Sequence, residues 1–218
     1  MATEPGGAAT ATSLLDEQRD LARARILRAA QRALAARGLA ATVDDVAEQA
    51  GVSRRTVFRH FATRERLFAA AIREGLRTYS EHLPERSPGD RGSASDTGRW
   101  LLDVLTTAHR INATNGRAYW DLSVLEPDLP GELAAVAVER REARRRFVTG
   151  VSRTLWRARG GEGRPPAWLA DAVAVHLSGF TTQSLAGDFG RTPEQVARVS
   201  ARVLEAAVDA ALAERRPS

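Results

Sequence analysis

The chain has 218 residues, with 43% hydrophobic and 27% charged residues, the balance of a globular protein of one large or two modest domains. It contains no cysteine, which excludes disulfides, thiolate metal sites and cysteine nucleophiles and fits a reducing cytoplasm. Its formal net charge is +5, carried entirely by arginine because no lysine occurs, and that charge is modest enough to favour a focused binding site over a nonspecific nucleic-acid coat.

Residues 1–13, rich in Ala, Gly and Thr, read as a disordered arm. They lack the basic start and continuous apolar run of a secretory signal, and no stretch approaches the length of a membrane span. The cytoplasm is the expected location. A first helix is expected over 14–37, with Leu21, Ile26, Ala30, Ala33 and Leu34 as its buried stripe and Gly38 ending it.

Residues 42–68, TVDDVAEQAGVSRRTVFRHFATRERLF, carry the densest signal. Thr42 is placed to cap a helix whose first turn holds Asp44 and Asp45, at the positive end of the helix dipole. Val46, Ala47 and Ala50 supply its apolar face, and Gly51 suits a left-handed corner. Ser53 caps a second helix over 54–60, with Val57 and Phe61 turned inward, and Thr63 caps a third. Two short helices around a glycine corner, the second one basic, are the grammar of a helix–turn–helix. From Gly51 to Arg66 there are five arginines against one carboxylate, Glu65. Arginine serves a DNA reader twice, as a fork for guanine edges and as charge for phosphates.

This pattern resembles the DNA-binding signature of the TetR family of bacterial transcriptional regulators. The likeness is carried by Gly38, Thr42, Val46-Ala47, the A-G-V-S run from Ala50 to Ser53, Val57-Phe58, His60-Phe61 and the run from Arg64 to Phe68. It covers about the first third of the chain. Phe58 stands where the family commonly has tyrosine, and Arg64 where it commonly has lysine. The resemblance implies DNA contacts from Thr42, Ser53, Arg54, Arg55, Thr56, Phe58, Arg59, His60 and Arg64, with Thr42 and Arg64 on phosphates. It further implies a C-terminal domain that binds a small effector and dimerises through its last two helices.

A linking helix is expected over 64–82, bearing Leu67, Phe68, Ala71, Ile72 and Leu76, then an inter-domain loop over 84–98 rich in Pro, Gly and Ser. Helices follow at 99–113, 117–125, 131–159, 166–186 and 192–216, separated by Pro127 and Pro130 and by the turn at 159–166. The charge run ERREARRRF at 139–147 reads as a solvated face. No alternating strand pattern and no internal repeat appear. The expected architecture is therefore all-α, about nine helices, with a helix–turn–helix domain over 14–63 and an effector-binding and dimerisation domain over 64–218.

The four histidines lack metal-site spacing, and neither a G-x-S-x-G elbow nor a phosphate loop occurs, so no metal, no cofactor and no enzymatic activity are expected. Aromatic residues on several C-terminal helices suggest a pocket lined by Trp100, Val104, His109, Trp120, Phe147, Val151, His176, Phe180 and Gln183. Apolar residues on more than one face of 192–216 suit a homodimer interface. The functional expectation is a ligand-responsive repressor that binds a palindromic double-stranded operator as a dimer and releases it on binding a small molecule. An activator with the same reader, and a low-specificity architectural protein, are the alternatives.

Overall fold

The computed structural model describes residues 14–82, 94–125 and 128–215, and among them there are nine α-helices and no strand. They run α1 (Leu14–Arg37), α2 (Val43–Ala50), α3 (Arg54–His60), α4 (Arg64–His82), α5 (Ala94–Val124), α6 (Gly131–Ala158), α7 (Ala167–His176), α8 (Gly179–Phe189) and α9 (Pro193–Ala213). The expected arm at 1–13 and most of the expected loop, residues 84–93, lie outside the described residues.

Two helix boundaries differ from expectation. The stretch 94–124 is one helix of 31 residues, not a loop end followed by two helices. Gly116, which falls in the expected gap between 113 and 117, permits close packing of α5 on α8. A Cβ there would lie 3.0 Å from the Gln183 amide, and the Gly116 Cα is 3.8 Å from the ideal Cβ position of Gly179. Conversely, 166–186 is two helices. Ser178 ends the run after Leu177 and caps α8, its Oγ accepting from the Thr181 amide at 3.0 Å.

The helix–turn–helix forms as its sequence dictates. Thr42 and Asp45 make a reciprocal capping box, the Asp45 amide donating to Thr42 Oγ1 at 3.1 Å and the Thr42 amide to Asp45 Oδ2 at 2.8 Å. These bonds hold the Asp45 carboxyl below its usual range. Gly51 takes the left-handed conformation, φ 61° and ψ 42°, and Ser53 and Thr63 cap the next two helices. Val46, Val57, Phe61, Leu67 and Phe68 are buried with Ile26, Ala30, Ala33 and Leu34 of α1. Leu21 is 70% exposed, so the buried stripe of α1 starts at Ile26. This core does not stop at α4: Ala118 and Leu122 of α5 and Leu133, Val136 and Ala137 of α6 belong to it.

The segment joining α1 to α2 is one 3-10 turn, Gly38–Ala40, and it is held from two sides. From α4, Arg64 donates Nε to the Ala41 carbonyl at 3.2 Å and Nη2 to the same oxygen at 3.0 Å, and Nη2 also donates to the Leu39 carbonyl. Its guanidinium lies 4.6 Å over the Phe68 ring. From α5, Asp121 Oδ2 accepts from the Leu39 amide at 2.7 Å. Gly38 has φ 61°, and a Cβ on it would fall 1.9 Å from that same carboxylate oxygen, so glycine is required both for the backbone and for the approach of α5.

A second core joins Leu101, Val104, Leu105 and Ala108 of α5 to α6, α7 and α9 through Val151, Leu155, Trp156, Leu169, Val173, Leu204 and Val208. Trp156 is buried and donates its indole N–H to the Glu162 carbonyl at 3.1 Å. A Cβ on Gly161 would lie 2.2 Å from that ring, and its neighbour Gly160 has φ 87°, which together explain the glycine pair in the α6–α7 turn. A polar chain crosses this core. His109 Nδ1 lies 2.8 Å from Thr182 Oγ1 and its Nε2 3.4 Å from Ser200 Oγ, and Ser200 Oγ is 3.2 Å from His176 Nδ1. Four helices, α5, α7, α8 and α9, are thereby pinned in register.

Two consequences are testable. Arg64→Ala should lower stability by about 2 kcal/mol, the scale of hydrogen bonds from a charged donor, while the slope of any DNA affinity against salt stays as in the parent chain. A slope reduced by roughly one charge, with unchanged stability, would make Arg64 a phosphate ligand instead. Burial, and then the neighbouring His176, push the His109 pKa down to about 4. The folded state thus takes up its proton later than the unfolded chain, and stability is complete above about pH 6.5 and falls as pH drops toward 4. The loss should reach about 3 kcal/mol at one pKa unit per 1.36 kcal/mol. Thermal melts across that window check it, and His109→Gln should flatten the dependence.

Candidate DNA interface and ligand cavity

The second helix of the helix–turn–helix, α3, turns Val57 into the core and leaves Arg54, Arg55, Phe58 and Arg59 exposed. Arg54 is partly committed: its Nη1 donates to Asp44 Oδ2 at 2.8 Å, and its guanidinium lies 5.5 Å over the Phe58 ring. Arg55 and Arg59 make no ion pair among the described residues. They stand as exposed cations on a helix whose first turn opens at Ser53, with Ser53 Oγ and Thr56 Oγ1 2.9 Å apart at its tip.

His60 sits differently. It is half-buried against α1, and its Nε2 has no hydrogen-bond partner among the described residues. Burial first, then Arg59, Arg19 and Arg23, hold its pKa below the ordinary histidine value, so it adds no positive charge near neutral pH. Arg64, expected on phosphate, points inward onto the α1–α2 turn, and its donors serve the Leu39 and Ala41 carbonyls. Thr42 keeps its hydroxyl within the capping box, donating to Asp45 Oδ2 at 2.8 Å.

On the other side of the α1–α2 turn, a cavity of ≈ 780 Å³ opens between α1, α5, α6 and α8. Trp120 and Phe180 stack at its rim, ring centroids 6.0 Å apart and planes at 25°. Asn112, Arg117, Asp121, Arg140, Arg144 and Gln183 give its polar lining. A second chamber of ≈ 300 Å³ lies between α4, α5 and α6 and shares Asn112, Tyr119, Arg140 and Arg144 with the first. Leu76, Tyr79, Phe147 and Leu177 make it mainly apolar. Tyr79 meets Phe147 edge-on at 6.1 Å.

Of the nine pocket residues expected from sequence, Trp120, Phe180 and Gln183 line the larger cavity and Phe147 the smaller. The other five do not line either. Val104 and Val151 are buried in the second core, and Trp100 packs against it. His109 and His176 belong to the polar chain through Ser200. The important omissions are Arg140 and Arg144, read as part of a solvated charge run. Part of that run is indeed solvent-facing, with Glu142 and Arg146 3.8 Å apart and Glu139 bound to Arg73 of α4 at 2.8 Å. Arg140 and Arg144, however, continue the stripe Leu133, Val136, Ala137, Phe147, Val151 and Leu155 at spacings of three and four. That register was visible in the sequence and places two cations on the inward face.

Among the described residues no group of three or more His, Cys, Asp or Glu side chains is placed to hold a metal ion, and no helix is long and apolar enough to cross a membrane.

No curated protein matches the chain. Among solved structures, a transcriptional regulator from Rhodococcus sp. RHA1 shares 24% identity and a TM-score of 0.64, covering 85% of this chain and 95% of its own. A tetR-family regulator from Streptomyces coelicolor shares 20% identity and a TM-score of 0.64, with 89% and 81% covered. The regulator FadR from Bacillus subtilis, solved with stearoyl-CoA, shares 16% identity and a TM-score of 0.59, with 85% and 97% covered. At these identities the likeness is one of fold, and it runs through both halves of the chain. The model for bacterial regulatory proteins of the tetR family matches residues 26–71, from the buried stripe of α1 through the capped corner to the inward face of α4. Residues 26–71 thus match the tetR family of bacterial regulatory proteins, over the helix–turn–helix at the N-terminal end, and the chain as a whole shares the fold of these regulators.

Proposed function

We propose that the protein is a homodimeric repressor, acting in the cytoplasm, that binds a palindromic operator and is released by a small molecule. The observation that carries the DNA contact is the exposure of Arg55 and Arg59 on a hydroxyl-capped helix, with no carboxylate among the described residues to hold them. Arg55 and Arg59 read base edges or phosphates, Arg54 exchanges Asp44 for DNA, and Ser53, Thr56 and Phe58 shape the contact surface. Arg64 acts at one remove, by fixing the turn that seats α2.

Dimerisation is supported by α9. Its buried face, Val196, Ala197, Ser200, Ala201, Leu204, Val208 and Ala211, is already used within the chain. A second apolar stripe, Val199, Val203, Ala206 and Ala210, is exposed at spacings of four, three and four. Phe189 of α8 is exposed as well. Two copies paired as a four-helix bundle would cover these residues, and two reader helices multiply specificity over a symmetric site.

Release is supported by the position of the cavity. Arg117, Tyr119, Trp120, Asp121 and Ser123 line it, and they sit on the end of α5 that grips the Leu39 amide. A ligand that prefers a displaced α5 end weakens the Asp121 bond and frees the turn that positions α2. The shift is bounded by the ligand's difference in affinity for the two states.

Selection of genomic fragments by the purified chain should return an inverted repeat bound with steep salt dependence. Fragments with a single half-site, or a flat spread of sequences, would count against the dimeric specific reader. On that operator Arg55→Ala should cost about 1–3 kcal/mol of discrimination at one base pair if the arginine grips a base edge. Asp121→Ala should speed amide hydrogen exchange at residues 38–42 and weaken operator binding by about tenfold, the equivalent of one bond of roughly 1.4 kcal/mol. Asp121→Asn, which keeps an acceptor, should behave nearer the parent. Unchanged exchange in Asp121→Ala would remove α5 from the coupling.

A further inference from the structure

We propose that the cavity binds an organic monoanion, with its carboxylate on Arg144 and an apolar, ring-sized body in the chamber between α4, α5 and α6. This inference rests on the reading of the cavity as the effector site and adds the chemical class of the effector.

Arg144 is half-buried on the inward stripe of α6 and lines both chambers. Among the described residues it makes one hydrogen bond, from Nη2 to the Ala174 carbonyl at 2.6 Å. A guanidinium carries five N–H donors, so most of its fork is left for a guest. No carboxylate of the described residues lies within salt-bridge reach of it. Elsewhere the chain pairs its inter-helix arginines with acids: Arg73 with Glu139 at 2.8 Å, Arg110 with Glu194 at 2.8 Å and Arg159 with Asp209 at 2.9 Å. Those pairs are at the surface, where water would have served as well. Arg144 is the reverse case, a cation taken out of water toward a cavity. Burial pulls its pKa down, which means that the charged form is held there at a cost. An anionic guest offsets that cost, and a neutral or cationic one does not.

The surroundings fix the rest of the ligand. Arg117 and Arg140 add positive charge to the lining, and the sole carboxylate lining either chamber, Asp121, is engaged by the Leu39 amide at 2.7 Å. The nearness of that carboxylate favours a single negative charge over a dianion. The first turn of α8, Ser178 to Phe180, also faces the larger cavity and presents the positive end of the helix. Beyond Arg144 the smaller chamber is walled by Leu76, Tyr79, Phe147 and Leu177, which suits an apolar ring and not a sugar or polyol.

The test uses the full chain and three probes that differ only in the head group: 2-naphthoate, 2-naphthylmethanol and 2-naphthylmethylammonium, titrated by calorimetry. Naphthoate should bind at one site per chain at least tenfold more tightly than the alcohol, with the ammonium weakest. Arg144→Met should abolish the preference for naphthoate, and Arg144→Lys should keep part of it, because charge survives while the fork is lost. Far-UV circular dichroism of each variant reports whether the helices are intact. Should the Met variant lose its helical signal, the order of the three probes on the parent chain decides alone. Equal binding of alcohol and naphthoate, or a preference undiminished in a folded Arg144→Met, overturns the anion inference and leaves the effector site standing. Failure of all three probes to bind overturns both.

Discussion

The grip on the turn at residues 38–41 is the constraint on which the rest of the arrangement depends. Two short helices cannot bury enough surface to hold their own orientation, so α2 and α3 take it from their neighbours. The turn that leads into α2 is fixed by Arg64 through the Leu39 and Ala41 carbonyls and by Asp121 through the Leu39 amide. One residue's carbonyl answers to α4 and its amide to α5. Gly38 makes this possible, because any side chain there would occupy the space of the Asp121 carboxylate. The reader's seat is thus shared by the helix that leads away from it and by a helix that arrives from far along the sequence.

That sharing explains why the first core ignores the expected domain boundary. Ala118, Leu122, Leu133, Val136 and Ala137 pack with the helix–turn–helix residues, while the second core gathers α5 to α7 and α9. Helix α5 passes through both. Its middle is locked by the His109 chain to α8 and α9, and its last turns carry the cavity wall and Asp121. A helix pinned at its middle and lined by a cavity beyond it acts, in the proposed coupling, as a lever whose last turns touch the reader's seat. The 31-residue continuity of α5 is therefore part of the proposed coupling, since a break at Gly116 would have let the two ends move independently.

The N-terminal third was legible because local rules and tertiary packing agree there. Thr42, Gly51, Ser53 and Thr63 act on backbone groups within a few residues, and capping is decided at that range. The C-terminal boundaries were less legible because they turn on contacts distant in sequence. Gly116 reads locally as a breaker, and only its fit against Gln183 and Gly179 makes it a packing residue. His109 and His176 read as polar groups for a pocket, yet Ser200, 91 residues from His109, closes them into the core. The pocket aromatics split for the same reason: a tryptophan or valine on an apolar stripe satisfies a core and a cavity wall equally, and the neighbouring helices decide which it becomes.

Arginine carries the same lesson into function. The chain has no lysine, so every permanent side-chain cation is the same chemical group, and its role is set by what surrounds it. Arg77, between Glu74 and Glu81 on the α4 surface, is one member of a solvated pair network of small energetic consequence. Arg64, half-buried against backbone carbonyls, is a bracket. Arg55, exposed and without a carboxylate, is available to an anionic partner of great length and regular spacing. Arg144, drawn toward a cavity and paired with no carboxylate of the described residues, is available to a small one. Charge counting treats these residues alike. Burial and partner separate them, and Arg55 and Arg144, neither paired with an acid among the described residues, face the two anions, one at each end of the coupling, that the protein is proposed to hold in turn.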